Sequence, residues 1–353
     1  MKAHIAYAEG SPCPTIVLDA NLLPCEEILL SKKLRAIYSQ LVELGMPDVL
    51  KFALIETSSH PLYDLQYRFV QCIPGPEVRF DFRGSCGHSI LSSILAAQKM
   101  GVLPNLHPGA KVRVQVVNTG DKVVCEIDSA QRDAGGFTVH FLQPEQTQLE
   151  SLLLTGRPQD VVSVGMTDYE VSLVAGSNPY VFVKAQSLGL ESADALFCAG
   201  DEAFAKLTEI KRSAARLLGW PEGGAFPKVA VVGRDTQGDL YARAVSVPSW
   251  HPTLALTGIM CTAIAARLPG SVVHDLLADR DATSSAPLTI RTPGSTASVA
   301  ASFIEGVSPT LGWVSVGKKN AHHLHEITVQ DATAEIPTPF QRKEEACLVP
   351  SFQ

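Results

Sequence analysis

The chain has 353 residues, more than one compact core usually holds, and this points to two domains or three small ones. Lys and Arg number 29 against 36 Asp and Glu, and 29 − 36 gives −7. That balance excludes the concentrated positive charge of a nucleic-acid footprint and a strong electrostatic pull toward anionic membranes. A composition of 46% hydrophobic and 18% charged residues excludes general disorder.

In chain order, a strand is expected at Ala3–Tyr7, and Pro24 opens a helical pattern that Gly45 ends, with Ile28, Leu34, Ile37 and Leu41 at three- or four-residue steps apart from the six between 28 and 34. LYDLQYRFVQCI (62–73) reads as strand. FDFRGSCGHSILSSILAAQKMG (80–101) passes from a short strand through a small-residue turn into an apolar helix ended by Gly101. KVRVQVVN and KVVCEID alternate around a short turn and predict a hairpin, followed by GGFTVHFLQ. Residues 145–160 are polar and read as a linker or crossover.

The same ingredients then recur. Strands are expected at 161–165, 170–176 and 180–184, before a helix over 201–219 with Asp201 as N-cap. Strands at 228–234 and 240–247 precede a second apolar helix, PTLALTGIMCTAIAARLPG (252–270), and strands at 288–292 and 296–306 close the pattern. Each half thus holds one helix apolar on nearly all sides, which must be surrounded. The expected architecture is α+β: two similar domains, 1–160 and 161–353, each a curved sheet wrapped on a central helix.

The eight cysteines lie without close pairs, which excludes a disulfide scaffold or zinc knuckle. No basic region followed by an apolar stretch opens the chain, so no secretory signal is expected. The apolar run Leu254–Ala266 is too short to span a bilayer. The expected location is the cytoplasm, with reduced thiols.

Several segments carry candidate chemistry. GSCGHS (84–89) opens the first apolar helix, where free backbone N–H groups favour an anion and can lower a thiol pKa. It reads either as a proton-transfer site at Cys86 with Gly87 or as a tight turn with a buried cysteine. TPGSTAS (292–298) offers Gly294, Ser295 and Thr296 as a carboxylate cradle or an ordinary turn. His251 stands just ahead of the second apolar helix as an acid–base candidate or a structural histidine. Asn178 stands at a strand entrance. His322 and His325, three apart, would share a face if helical and could then bind a metal; a solvated polar helix is the alternative.

Together GSCGHSILSSILAA, SNPYVFVKAQSLGL, SWHPTLALTGIMCTAIAARLPGSVV and LTIRTPGST resemble the PrpF-like isomerases, which include 2-methylaconitate cis–trans isomerase, 4-oxalomesaconate tautomerase and aconitate isomerase. The resemblance covers most of residues 50–320. It implies a diaminopimelate-epimerase-like fold, with two pseudo-symmetric domains facing a cleft. It also implies proton transfer on an unsaturated acid without a cofactor or metal.

The chain departs from the family's pattern in three loops. AEGSPCP (8–14) stands where the family has two cations, KNAH (319–322) where it has Arg-Thr-Ala-Arg, and TSSHPL (57–62) puts Leu62 where the proton-transferring lysine belongs. A buried carboxylate left unpaired costs about 3–5 kcal/mol, so a less anionic substrate is expected, in specialised metabolism. Cys86 with His60 or His88 is then the expected proton-transfer set. Ser58, Ser59, Gly87, Asn178, His251, Gly294, Ser295 and Thr296 are expected to hold substrate. The expected partners are a small-molecule substrate and a second copy of the chain, with no nucleic acid and no membrane. The alternative is a repurposed member, a cyclase or ligand-binding protein without isomerase activity.

Overall fold

A computed structural model gives the fold and describes residues 1–246, 249–278, 287–304 and 309–330, with backbone alone at 144–146. The ends of the strands expected at 240–247 and 296–306, and Cys347, lie outside the described residues. The first strands are β1 (Lys2–Ala8), β2 (Thr15–Asp19), β3 (Lys51–Thr57), β4 (Leu65–Ile73), β5 (Arg79–Asp81), β6 (Lys111–Val116), β7 (Lys122–Ala130) and β8 (Ala134–Gln148). There follow β9 (Asp160–Val164), β10 (Thr167–Ala175), β11 (Pro179–Lys184), β12 (Lys228–Arg234), β13 (Leu240–Ala244), β14 (Leu288–Thr292), β15 (Ser295–Ile304) and β16 (Thr310–Thr328). The helices are α1 (Glu27–Glu43), α2 (Gly87–Lys99), α3 (Ala193–Phe197), α4 (Asp201–Leu217), α5 (Leu256–Ala265) and α6 (Val272–Leu276).

Strands β1, β2, β3, β4, β6, β7, β8 and β16 pair in that order, and β16 pairs back onto β1, closing a ring. From β16 the sheet continues through β15, β14, β13, β12, β11 and β10 to β9. One pairing scheme serves both halves. Parallel β2–β3 and antiparallel β3–β4 are matched by parallel β11–β12 and antiparallel β12–β13. Helix α2 lies between β4 and β6 in the chain, as α5 lies between β13 and β14, and α1 and α4 occupy corresponding crossovers.

Burial explains why these segments take these forms. Every residue of α2 from Gly87 to Ala97 is buried, as is all of α5. Ile90, Leu91 and Ile94 pack with Val114, Val139 and Phe141; Ile259, Met260 and Ile264 belong to the same cluster, with Val232, Ile290 and Val314. Each such side chain contributes about 1.5–3 kcal/mol on removal from water. On the outer faces, α1 packs Leu30, Leu34, Ile37 and Leu41 with Ile5, Ile16, Leu18 and Phe52. Helix α4 packs Leu207 and Ile210 with Val171, Leu173 and Val231.

The structure corrects several sequence expectations. Strands β2 and β3 escape an alternation search because helices cover one face and the ring interior the other, which makes TIVLD and KFALI continuously apolar. The 145–160 segment extends β8 to Gln148 before a short turn over Leu149–Leu152. Asp201 lies in the first turn of α4, whose cap is Gly200. The histidine-rich segment is strand: His322, His323 and His325 pair with Tyr7, Ala6 and Ile5 as β16 closes the ring. His322 meets Glu9 (2.9 Å) and His323 meets His4 (3.0 Å), so the helical face that would have joined His322 to His325 does not exist. Among the described residues no three His, Cys, Asp or Glu side chains converge, and no helix is long and apolar enough to cross a membrane.

Candidate active site

The N-termini of the two enclosed helices meet. A Cβ on Gly87 would stand 2.6 Å from Leu256 Cβ, so only glycine permits this approach. The cleft at the junction is lined by Lys51, Gln71, Ser85, Cys86, Asn178, Tyr180, Phe226, Lys228, Ser246, His251, Ala255 and Thr257, among others. Both helix ends present unpaired first-turn N–H groups and the positive pole of their dipoles to it.

Cys86 is the N-cap of α2 and is buried; Tyr67 donates its hydroxyl hydrogen to the Cys86 carbonyl (3.2 Å). Burial alone would raise the thiol pKa. The Lys51 ammonium and hydrogen bonds from Ser89 and Lys51 outweigh it and hold the thiol below its ordinary value. Lys51 opens β3, is buried, and donates through Nζ to Ser11 Oγ (2.7 Å), which donates onward to the Cys13 carbonyl (2.8 Å). Lys228 occupies the corresponding first position of β12 in the other half. Its Nζ lies 4.9 Å from the centre of the Phe226 ring, and burial followed by repulsion from Lys211 lowers its pKa to about 8. Lys319, 7% exposed on β16, is lowered by burial. Among the described residues neither Lys228 nor Lys319 has a hydrogen-bond acceptor or an ion-pair partner.

Lys51 and Lys228 thus bring cations to the cleft from outside the three loops in which the sequence lacks them. Leu62 is 64% exposed in the loop after β3. Lys51 is at the other end of that strand, about 20 Å away at strand rise. Ser58, Ser59 and His60 lie in the same loop, and none of them is among the residues that line the cleft. His60 is exposed, its Nδ1 accepts the Leu62 N–H (3.2 Å) and its ring rests on Tyr63; it is not the partner of the thiol. Lys51 and Lys228 were missed because each is a single cation at the head of an apolar strand, KFALI and KVAVV. A lysine that begins a strand buried on both faces is the signal that could have found them.

Asn178 also differs from expectation. Its Oδ1 accepts the Ser85 N–H (2.9 Å), while its Nδ2 donates to the Ser85 carbonyl (2.8 Å) and Thr257 Oγ1 (3.1 Å). With both amide hydrogens engaged it clamps the turn before Cys86 to the start of α5 rather than reaching for a ligand. Gly294, Ser295 and Thr296 form the exposed β14–β15 turn. A Cβ on Gly294 would stand 2.9 Å from the Pro252 carbonyl, so the turn abuts the His251 segment without lining the cleft. From the other side Thr253 donates to the Gly10 carbonyl (2.9 Å).

His251 and His88 are brought together, with ring centres 5.8 Å apart and planes 27° from parallel. Burial, then Lys51 and Lys228, lower the His251 pKa to about 3. Burial, Lys51, His251 and Lys319 hold His88 well below its ordinary value. His88 is 1% exposed and neither ring nitrogen has a partner, a deficit worth about 1–3 kcal/mol per group. The cleft thus joins Cys86 and Lys51 with a second buried lysine, Lys228, and with His251; His88 stacks on His251 behind it, and Lys319 acts on both imidazoles by its charge.

The fold is shared with solved proteins. The crystal structure of a methylitaconate-delta-isomerase matches with a TM-score of 0.65 at 23% identity, covering 93% of this chain and 95% of that one. A hydroxyproline epimerase from Agrobacterium vitis matches with a TM-score of 0.59 at 14% identity, covering 94% and 93%. In sequence, the chain is 27% identical over 311 residues to 3-methylitaconate isomerase of Eubacterium barkeri, covering 75% of this chain and 81% of the relative. It is 24% identical over 262 residues to 4-oxalomesaconate tautomerase of Pseudomonas putida, covering 67% and 70%. These relatives are isomerases and tautomerases, and the enzyme class they share is an isomerase. The model of the PrpF protein family matches residues 44–305, which span α2, α5 and every strand from β3 to β15, and the chain belongs to that family.

Proposed function

We propose that this protein isomerises an unsaturated dicarboxylate by moving one proton, with Cys86 and Lys51 as the transferring pair and no cofactor. The observation that carries the reading is that the buried Lys51 ammonium and the buried Cys86 thiol line one cleft at the mouth of α2, where the charge of Lys51 holds the thiol below its ordinary pKa. As thiolate, Cys86 takes the proton from the sp3 carbon next to the activated position, and the electron pair shifts through the double bond into an enolate. Lys51 protonates the far carbon of that system. After product leaves, the thiol loses its proton to solvent and the amine takes one from solvent, which restores the starting pair.

Lys228 and Lys319, buried without carboxylate partners, supply charge for the substrate's carboxylates, and the two helix termini add their N–H groups. Three ammonium groups favour a dianionic substrate over the less anionic one expected from sequence. The alternative, a repurposed and inactive member, rests on the lysine missing at Leu62; the buried lysines at the cleft favour the active reading over it. The two halves act in this reading as pseudo-symmetric lobes divided near residue 160, with β16 returning to the first. The cleft encloses ≈ 40 Å³, room for a few waters, so the lobes part to admit substrate.

Solvent deuterium exchange into unsaturated dicarboxylates such as 3-methylitaconate tests the pair. Cys86→Ser and Lys51→Met should each slow exchange by about 10²–10⁴-fold with unchanged melting temperature. Exchange within tenfold of wild type in both would overturn the assignment.

A further inference from the structure

We infer that His251 is a further substrate-contacting residue, whose Nε2–H donates to the substrate oxygen on which negative charge builds, and that His88 is the positioning residue behind it. The inference rests on the proton-transfer reading above and adds the group that answers the enolate.

The ring of His251 is held at one edge. Its own backbone N–H donates to the Ala244 carbonyl (2.9 Å), and Nδ1 accepts the Thr253 N–H (3.2 Å). A nitrogen that accepts carries no proton, so the single hydrogen of the neutral ring is on Nε2. Nε2 has no partner among the described residues, and the residue lines the same cleft as Cys86 and Lys228. The donor is therefore formed and unspent.

The groups around it keep the ring uncharged. Lys51 from β3, Lys228 from β12 and Lys319 from β16 all disfavour a proton on His251, and the neighbouring ring from α2 is itself a neutral imidazole. This division of labour has a kinetic meaning. Ammonium groups hold carboxylates that are charged before and after the reaction, and so bind ground state and transition state alike. A neutral N–H gains most when an oxygen changes from carbonyl-like to enolate-like, and it lowers the barrier rather than the dissociation constant. His88 lies two residues after Cys86 on α2, with its face against His251 and both nitrogens unpartnered. Its contribution is the flat surface that fixes the direction of the Nε2–H bond.

The test uses the full chain, ¹⁵N-histidine labelling and itaconate as the probe dicarboxylate. The expected wild-type spectrum shows a His251 ring protonated on Nε2 alone and unchanged from pH 5 to 8, with itaconate shifting that Nε2–H signal. His251→Phe should bind itaconate within about threefold of wild type yet slow its deuterium exchange by about 100-fold; His251→Gln, which keeps an uncharged N–H donor, should recover at least tenfold of that loss. His88→Ala should displace the His251 signal, and His88→Phe should return it. A His251 ring that titrates between pH 5 and 8, or His251→Phe exchanging at wild-type speed, overturns the inference. Wild-type protein that neither binds itaconate nor exchanges it, with the His251 signature intact, overturns the proton-transfer reading and the inference with it.

Discussion

His88 and His251 are held uncharged inside a protein whose unfolded chain would protonate them at about pH 6.5. Between that value and about 3, where His251 takes up its proton in the native state, the unfolded chain binds more protons than the folded one. Stability therefore falls as the pH is lowered through this window, by about 1.4 kcal/mol per pH unit from His251, and His88, held well below its ordinary value, acts in the same direction. Urea unfolding at pH 7, 6, 5 and 4 should show this slope, and His251→Phe should flatten it; an equally steep slope in the variant would place the titration elsewhere. Lys228 titrates in the opposite part of the range. Its folded value of about 8 lies below that of a free lysine, so its buried charge costs stability below pH 8, and that cost is relieved as the pH rises further. A side chain kept in place against its own stability is what a site for an anion requires.

The two enclosed helices are joined at their N-termini by Asn178, which gives the turn before Cys86 its partners across the cleft. Asn178→Ala would leave the buried Ser85 N–H and carbonyl unsatisfied, at about 2–4 kcal/mol. Calorimetry should show that loss, together with a Cys86 thiol that ionises at higher pH because its turn is no longer fixed; a variant of wild-type stability would exclude the clamp. Much of this level was readable in advance. The runs ILSSILAA and GIMCTAIAA have no polar face, so helices formed from them must be enclosed, and the hairpin of β6 and β7 follows from its alternation. What could not be read was set by contacts distant in sequence. Strands β2 and β3 are covered on both faces by α1 and the ring interior, and β16 is strand because β1 and β8 flank it. Cys86 stood out because glycines surround it; Lys51, which the proposal pairs with it, comes from a segment with no local mark. The position of Leu62 in a matching loop pointed to the opposite end of β3 from Lys51.

The molecule as a whole places one lysine-headed strand and one buried helix from each half on a shared cleft, and its last strand binds the halves into one sheet. Substrate entry in this account needs the halves to separate near Gly10 and Thr253. The Cβ position of Gly10 lies 3.5 Å from Thr253 Cβ, within disulfide range. A Gly10→Cys, Thr253→Cys double variant should lose activity when oxidised and regain it with reductant. Full activity in the cross-linked form would mean that substrate enters without parting the halves.

Two groups transfer the proton in this account, one on each side of the substrate's allylic system. The decisive measurement is turnover of an unsaturated dicarboxylate in D2O, with the deuterium content of the newly formed C–H position read by mass spectrometry and NMR. One solvent deuterium per product molecule at that carbon is the predicted result, because Lys51 delivers a proton other than the one Cys86 removes. Product that retains the substrate's own hydrogen there would show a single group carrying it across, and would contradict the Cys86–Lys51 pair.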